Sequence, residues 1–430
     1  MTPPRPRIIV AGAGFAGMSF LKHLDKSKYD ITLIDRNDYH SFPPLYYQVA
    51  SSGLDPTDIA FPLRREFRKS LGSGMRIHPG VIREVDISAK TVTTDLETLP
   101  YDYLVVALGT TNNFFSTPDL IDKVFTLKST DEAMRLRDEA LRRCELAALE
   151  SNPEKRRAML SFTVIGGGAA GVEIAGALGE AKRYILPKEY PEIPADDMHI
   201  YLVEGSDRLL KSMSETASRG ALKGLRELLV EVHTGKVMTR YDDEAEQVTL
   251  SDGTILRSGM VIWTAGVMAT PLKFISDGRE VNLSAAGGRL VTDLKLEVNG
   301  APGVYAIGDI GLQISPEYPR GLPQVAQVAL QQGKYLAKAF NKGQSAPFRY
   351  RDKGSMAAIG RNRAVADIGP LHFTGFPAWV AWMAIHLMSL MSMRNKLNVL
   401  TGWVWAYFTH NTSTRMLFRG SPHPRRKSDC

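Results

Sequence analysis

The sequence predicts an α/β fold of two Rossmann-like dinucleotide-binding domains, followed by a C-terminal amphipathic helical segment. Three observations carry this. A glycine-rich fingerprint occurs twice, each copy stands between an apolar strand pattern and a helix, and the last 55 residues hold four of the five tryptophans.

The first copy, Gly12-Ala13-Gly14-Phe15-Ala16-Gly17, follows the apolar run Arg7 to Ala11. Its glycines let the backbone turn tightly and bring amide groups to a pyrophosphate at a helix N-terminus. Asp35 ends the next strand, Ile31 to Asp35, where a carboxylate can take both ribose hydroxyls of an adenosine. The second copy, Gly166-Gly167-Gly168-Ala169-Ala170-Gly171, follows Phe162 to Ile165, and its acid is Glu204 at the end of Ile200 to Glu204. A carboxylate there accepts from a free 2′-hydroxyl and repels a 2′-phosphate, which favours NADH over NADPH. Arg208, a cation close by, works against that preference.

A third motif, Gly303-Val-Tyr-Ala-Ile-Gly308-Asp309, reads as a short strand ending in Gly-Asp. Flavoproteins with two such domains use the Asp to hold the ribityl chain, so the first domain is expected to bind FAD and the second NADH. The plainer alternative is a strand followed by an Asx turn. The expected organisation is residues 1–125 and 291–375 for the FAD domain, 126–290 for the NADH domain, and 376–430 for anchoring helices and a basic tail. At 430 residues and 44% hydrophobic content the chain can bury two or three cores. Amphipathic stretches such as Glu132 to Leu149 suit the crossovers of parallel sheets.

Two cysteines, Cys144 and Cys430, stand in no paired motif. That excludes the flavin-side dithiol of thioredoxin- and glutathione-reductase relatives and the polysulfide-holding cysteines of sulfide:quinone oxidoreductases. Cys144 is expected to be a helix-packing residue, and so few thiols fit a reducing compartment. No export-signal pattern precedes the first strand.

The net charge is +7, and from Phe376 to Cys430 there are seven Lys and Arg residues against one acid, Asp429. Trp379, Trp382, Trp403 and Trp405 lie in the same segment. Indoles favour the headgroup region and clustered cations favour anionic lipid. Read as a helix, Leu397 to Thr409 puts Leu397, Val399, Leu400, Trp403, Val404, Tyr407 and Phe408 on one broad face. Phe376 to Met393 is uncharged and about long enough to cross a bilayer, yet His386, Ser389, Ser392 and Lys396 collect on one side, which suits a helix in the interface or against a second copy. Nucleic acid is not the expected partner, because the cations are interleaved with aliphatic surface.

Over nearly its whole length the chain resembles the type II NADH:quinone oxidoreductases, single-subunit and non-proton-pumping. The resemblance rests on Asp35-Arg36-Asn-Asp-Tyr-His40, Tyr47-Gln48-Val-Ala, Asp58-Ile-Ala-Phe-Pro-Leu63, Phe125-Thr-Leu-Lys-Ser-Thr130 and Gly166 to Glu173. Ala326-Gln327-Val-Ala-Leu-Gln331-Gln332-Gly333, Gly354 to Gly360, Arg394-Asn-Lys and Trp403-Val-Trp405-Ala-Tyr-Phe408 continue it. One departure is Phe42-Pro43-Pro44-Leu45, where the family pattern has Gln-Pro-Leu.

The resemblance implies non-covalent FAD on Gly12, Gly14, Phe15, Ala16, Gly17, Asp35, Arg36, Gln48, Gly109, Asp309, Ala326 and Gln327. It implies NADH on Gly166, Gly168, Gly171, Glu173, Glu204, Ala265 and Gly266, and no metal. NADH passes a hydride to the flavin, and a quinone, ubiquinone or menaquinone, then takes two electrons and two protons. Gln327 and Gln331 are the expected hydrogen-bond donors to the quinone carbonyls, and Glu173 a proton relay. Ordinary helix-surface glutamines and a first-turn carboxylate are the plainer alternatives. A peripheral, monotopic attachment to anionic lipid on the cytoplasmic face of the inner membrane, as a homodimer through the C-terminal helices, completes the expectation. A soluble ferredoxin- or rubredoxin-reductase-like enzyme would share both fingerprints without the tryptophan-rich tail. An NAD(H)-sensing flavoprotein would keep the fold and lose quinone turnover.

Overall fold

The computed structural model describes residues 4–115, 117–343, 346–409 and 415–417. Five helices carry the argument: α1 (Phe15–His23), α2 (Ala169–Glu180), α3 (Ala326–Lys342), α4 (Phe376–Ser389) and α5 (Met393–Thr409). The chain divides into two compact units. The first comprises Met1–Ser41, Ala60–Asn113 and Val267–Lys353, the second Phe42–Ile59, Phe114–Gly266 and Gly354–Cys430.

In the first unit a five-stranded parallel sheet runs in the order Val304–Ala306, Tyr103–Val106, Arg7–Ala11, Asp30–Asp35, Met75–Pro79. The chain thus winds outward from Arg7–Ala11 in both directions, and a crevice opens at the carboxyl end of that central strand. Ile9, Ala11, Ile34, Leu104 and Val106 project from the sheet into a core shared with Val85, Val92 and Phe274 of a second, mainly antiparallel sheet. Ile8, Val10 and Leu33, on the other face, are equally buried. Burial on both faces explains why these strands read as unbroken apolar runs.

The second unit repeats the winding around Ser161–Ile165, in the order Phe125–Thr126, Met260–Trp263, Ser161–Ile165, His199–Glu204, Glu231–Thr234. Every residue of Ser161–Ile165 is buried. A separate antiparallel sheet, Ser355–Gly360, Arg363–Ile368 and Leu371–Thr374, packs on α2 and α4.

The uncharged stretch after Phe376 is interrupted. Helix α4 stops at Ser389, Leu390 is extended at φ −63° and ψ 144°, and α5 begins at Met393. With 14 and 17 residues, the two helices reach only about 21 and about 25 Å, against roughly 30 Å of hydrocarbon. Among the described residues no helix is long and apolar enough to cross a membrane.

Packing also splits the apolar face read for α5. Val399 is buried and Trp403 and Tyr407 are half-buried, while Leu397, Leu400, Val404 and Phe408 turn outward, Phe408 being 78% exposed. On α4, Trp382 is buried and Phe376, Val380, Ile385 and Met388 are exposed. His386 does not join an outer polar side: it stacks on Trp382 with ring centroids 4.1 Å apart and bonds the Trp382 carbonyl at 2.7 Å. Of the four tail tryptophans, only Trp405 is mostly exposed. Arg415 folds back, its Nε donating to Glu189 at 2.7 Å. The remaining tail charges, Arg419, Arg425, Arg426, Lys427 and Asp429, lie outside the described residues, as does Cys430. Cys144 is half-buried, and burial pushes its thiol up to about 12, so it is neutral and inert.

Candidate functional site

The two fingerprint turns are built alike. Gly12 and Gly166 have φ of +105° and +111°, a backbone that a side chain resists, and a Cβ at either would run into the neighbouring strand's continuation, Ala107 or Ala265. Each N–H donates across the sheet at 2.8 Å, Gly12 to the Ile34 carbonyl and Gly166 to that of Val203. Gly17 and Gly171 lie directly on the carbonyls of Gly12 and Gly166.

The acids are pinned to these turns. Asp35 accepts from the amides of Ala13 at 2.6 Å and Asn37 at 2.8 Å. Glu204 accepts from those of Gly167 at 2.5 Å and Ser206 at 2.6 Å. Burial pushes the Asp35 carboxyl up, against the pull of those two amides and of the exposed Arg36. The expected competitor Arg208 is committed elsewhere: its guanidinium donates to the carbonyls of Lys211, Met213 and Ser214 at 3.0, 3.0 and 3.3 Å.

Gly14 and Gly168 cap α1 and α2 without a side-chain bond to the helix, and neither first turn carries an acid. Beside both glycines a Cβ would meet open space. A bare helix N-terminus over an open glycine turn, with a carboxylate at the end of the second strand, fits an adenine dinucleotide. The chain has this arrangement once in each unit. Phe15 and Ala16 form the first turn of α1. Gly109, at φ +66°, accepts from the Thr270 amide at 3.1 Å, and Gly266 lies against the Phe115 ring.

Asp309 sits in the helical turn Gly308–Ile310. That turn is held by the fully buried Gln332, which accepts from the Gly308 amide at 2.7 Å, and by Gln324, which donates to the Asp309 carbonyl at 3.0 Å. Gln332 is a positioning residue that the sequence reading passed over, although it adjoins Gln331. Ala326 opens α3 with no side-chain cap and no acid in the first turn.

Gln327 and Gln331 have both ends of their amides engaged within the first unit. Gln327 donates to Asp352 at 3.2 Å and accepts from the Lys353 amide at 2.9 Å. Gln331 donates to the Arg351 carbonyl at 2.8 Å and accepts from the Arg351 amide at 3.0 Å. The structure brings them to residues 351–353; Glu173 and Gln48 belong to the second unit.

There, a cavity of about 170 Å³ is lined by residues from five stretches of chain, among them Tyr47, Gln48, Glu173, Glu180, Trp382 and Trp403. Gln48 donates to the Tyr47 hydroxyl at 3.0 Å and accepts from the Trp403 indole at 2.7 Å. Glu173 is buried and accepts from the Ala358 amide at 3.3 Å. Burial pushes its carboxyl up to about 8, against the pull of that amide and of the nearby Trp382 indole. Trp382 is 1% exposed, and among the described residues its Nε1 completes no hydrogen bond. A buried donor beside a carboxyl, its hydrogen bond left incomplete in a mostly apolar cavity, suits a flat, apolar ligand that carries a carbonyl.

Residues 6–333 match the family model for pyridine nucleotide-disulphide oxidoreductases, and residues 353–411 match that for the NDH2 C-terminal domain. The chain is 34% identical over 416 residues to the type II NADH:quinone oxidoreductase Ndh of Mycobacterium tuberculosis, covering 94% of this chain and 88% of that one. It is 27% identical to the mitochondrial internal alternative NAD(P)H-ubiquinone oxidoreductase A1 of Arabidopsis thaliana, covering 93% and 84%. Among solved structures it is similar to NDH2 from Plasmodium falciparum in complex with NADH, with a TM-score of 0.87 at 22% identity over 96% of this chain and 100% of that one.

Proposed function

The chain belongs to the type II NADH:quinone oxidoreductases, and we propose how its own residues carry out that reaction. It is a single-subunit, non-proton-pumping flavoenzyme that oxidises NADH and reduces a quinone. FAD, when bound, supplies the redox chemistry, accepting a hydride and yielding two electrons.

Gly12, Gly14, Phe15, Ala16 and Gly17 cradle the FAD pyrophosphate, and Asp35, with Arg36 beside it, holds the ribose. Asp309 takes the ribityl chain, with Gly109 at the margin of this site. The start of α3, at Ala326 and Gln327, would help to hold the flavin and would stabilise negative charge on it. Gly166, Gly168 and Gly171 hold NADH, with Glu204 on the ribose and Ala265 and Gly266 alongside. Position and orientation supply most of the hydride-transfer rate.

The quinone ring, ubiquinone or menaquinone, occupies the second unit's cavity. One observation carries this assignment: the buried Trp382 indole N–H, which lies near the Glu173 carboxyl but completes no hydrogen bond among the described residues, so that donor and carboxyl together face the cavity. A quinone carbonyl satisfies it, Glu173 protonates a quinone oxygen, and the aromatic walls match the ring. Gln327 and Gln331 brace residues 351–353 of the first unit.

The outward stripes of α4 and α5, with Arg394 and Lys396, rest on anionic lipid where the long-tailed quinone is dissolved. The cytoplasmic face of the inner membrane and a homodimer complete the reading. NADH oxidation followed with and without a soluble quinone, alongside the flavin spectrum, tests it. Equimolar NADH loss and quinol gain are expected; NADH oxidation indifferent to quinone would refute it.

A further inference from the structure

Reducing a quinone with NADH consumes one proton from solution: NADH, H⁺ and quinone become NAD⁺ and quinol. If the ring sits in the second unit's cavity, that proton must reach a buried place. Glu173 is well set to deliver it and poorly set to collect it, being 8% exposed.

Two turns further along α2, on the same helix face, a second carboxylate lines the same cavity. Glu180 is half-buried and accepts from the Arg361 amide at 2.5 Å. Seven residues of helix separate the two carboxyls by about 10 Å, too far for direct transfer. The intervening cavity, about 170 Å³, has room for a short chain of waters and polar partners for them in Tyr47, Gln48 and Ser51. Directly after Glu180 the helix widens into a π-helical turn, Ala181–Ile185, whose Tyr184 and Ile185 also line the cavity. Such turns often mark functional sites.

Building on the quinone reading of this cavity, we propose that Glu180 is the intake carboxyl of a two-carboxyl path that passes the solution proton along the cavity to Glu173. Glu173 then gives its proton to one quinone oxygen: its O–H bond breaks and an O–H bond forms on the quinone, while both electrons and the second quinol hydrogen are those that left NADH as hydride. The Glu173 carboxylate is refilled through water from Glu180, which draws on bulk solvent.

The groups facing this path come from every packed element. Tyr47 belongs to the helix Tyr46–Ala50, and its hydroxyl feels both carboxylates. Tyr184 follows α2. Arg361 and Arg363 stand at the turn of the antiparallel sheet and attract the Glu180 charge, keeping the intake end more acidic than burial alone would leave it. Arg363 itself is paired with Glu227 at 2.9 Å.

The test is Glu180→Gln in the full-length, flavin-loaded enzyme. NADH oxidation is measured with a soluble quinone and with ferricyanide, which takes electrons without protons, in H₂O and D₂O across pH. With quinone, turnover should fall roughly tenfold or more and the solvent isotope effect should rise; Glu180→Asp should restore most of the rate. With ferricyanide the rate should stay within about twofold. Gly360→Ala is the second variant: its Cβ would fall 3.0 Å from the Glu180 Oε1, displacing the carboxyl without removing it, and the same quinone-selective loss is expected. It decides the matter if Glu180→Gln does not retain flavin. Wild-type quinone turnover, pH profile and isotope effect in the variants would overturn the proposal and leave the quinone reading intact. A wild-type enzyme that reduces ferricyanide and not quinone would overturn the quinone reading itself.

Discussion

The Trp403 indole N–H donates to the Gln48 side-chain carbonyl at 2.7 Å, so the helix that turns an apolar stripe outward also supplies an inner wall of the cavity. Arg361 fixes the end of that helix, donating to the carbonyls of Ala406 at 2.6 Å and Tyr407 at 2.8 Å. Gln48→Leu leaves the indole unpaired and should cost about 1–3 kcal/mol of stability. It should raise KM for quinone and leave KM for NADH unchanged. Denaturant unfolding and steady-state kinetics check both, and equal changes in the two KM values would detach this bond from the acceptor side.

A second prediction concerns pH. Burial raises Glu173 to about 8 in the folded chain, against roughly 4.3 unfolded. Between those values the folded state holds a proton that the unfolded state has lost, so stability falls as pH rises. Glu173→Gln cannot ionise and should gain on the wild type by at most about 1.4 kcal/mol per pH unit across that window. Unfolding at both ends of the window measures this. A difference independent of pH would mean that Glu173 is ionised throughout.

Nicotinamide choice rests on Glu204. Since its two oxygens accept from Gly167 and Ser206, Glu204→Gln should weaken both cofactors somewhat by turning an amide donor toward a backbone N–H. It should also narrow the preference for NADH over NADPH by about 1–3 kcal/mol, the size of one charged hydrogen bond. Specificity constants for the two cofactors give the ratio; an unchanged ratio would move NADH off this turn.

For the membrane, charges on the outer stripe are the sharpest probe. Leu397, Val404 and Phe408 are at least half exposed, so Glu at these sites should hardly disturb folding. Flotation with anionic vesicles should fall strongly in the triple variant, because apolar burial at roughly 25 cal/mol per Å² is lost. Salt alone should release little wild-type protein, since it screens only the contribution of Arg394 and Lys396. Unchanged flotation would assign the stripe to a second copy of the chain.

Both dinucleotide turns are legible in the sequence because their causes are local: a glycine that must have positive φ, a bare helix start, an acid at a strand end. The interruption at Leu390 is not, since nothing between Phe376 and Met393 is charged. The inward turn of Val399, Trp403 and Tyr407 is equally hidden, because an all-apolar face does not reveal which part packs on protein. The cavity is the least legible feature. Its residues come from five separated stretches, and Trp382 reads as an interfacial anchor until its burial is known. Gln332 is hidden for another reason: in a Gln-Gln pair only helix phase decides which side chain is buried under Gly308.

The assignment of the quinone to this cavity is tested most directly by anaerobic stopped-flow on Trp382→Phe, which keeps an aromatic ring and removes the indole N–H. Flavin reduction by NADH should proceed at the wild-type rate, while reoxidation by quinone slows by about tenfold, the equivalent of one lost hydrogen bond to a carbonyl. Reoxidation at the wild-type rate, or slowed reduction in its place, would contradict it.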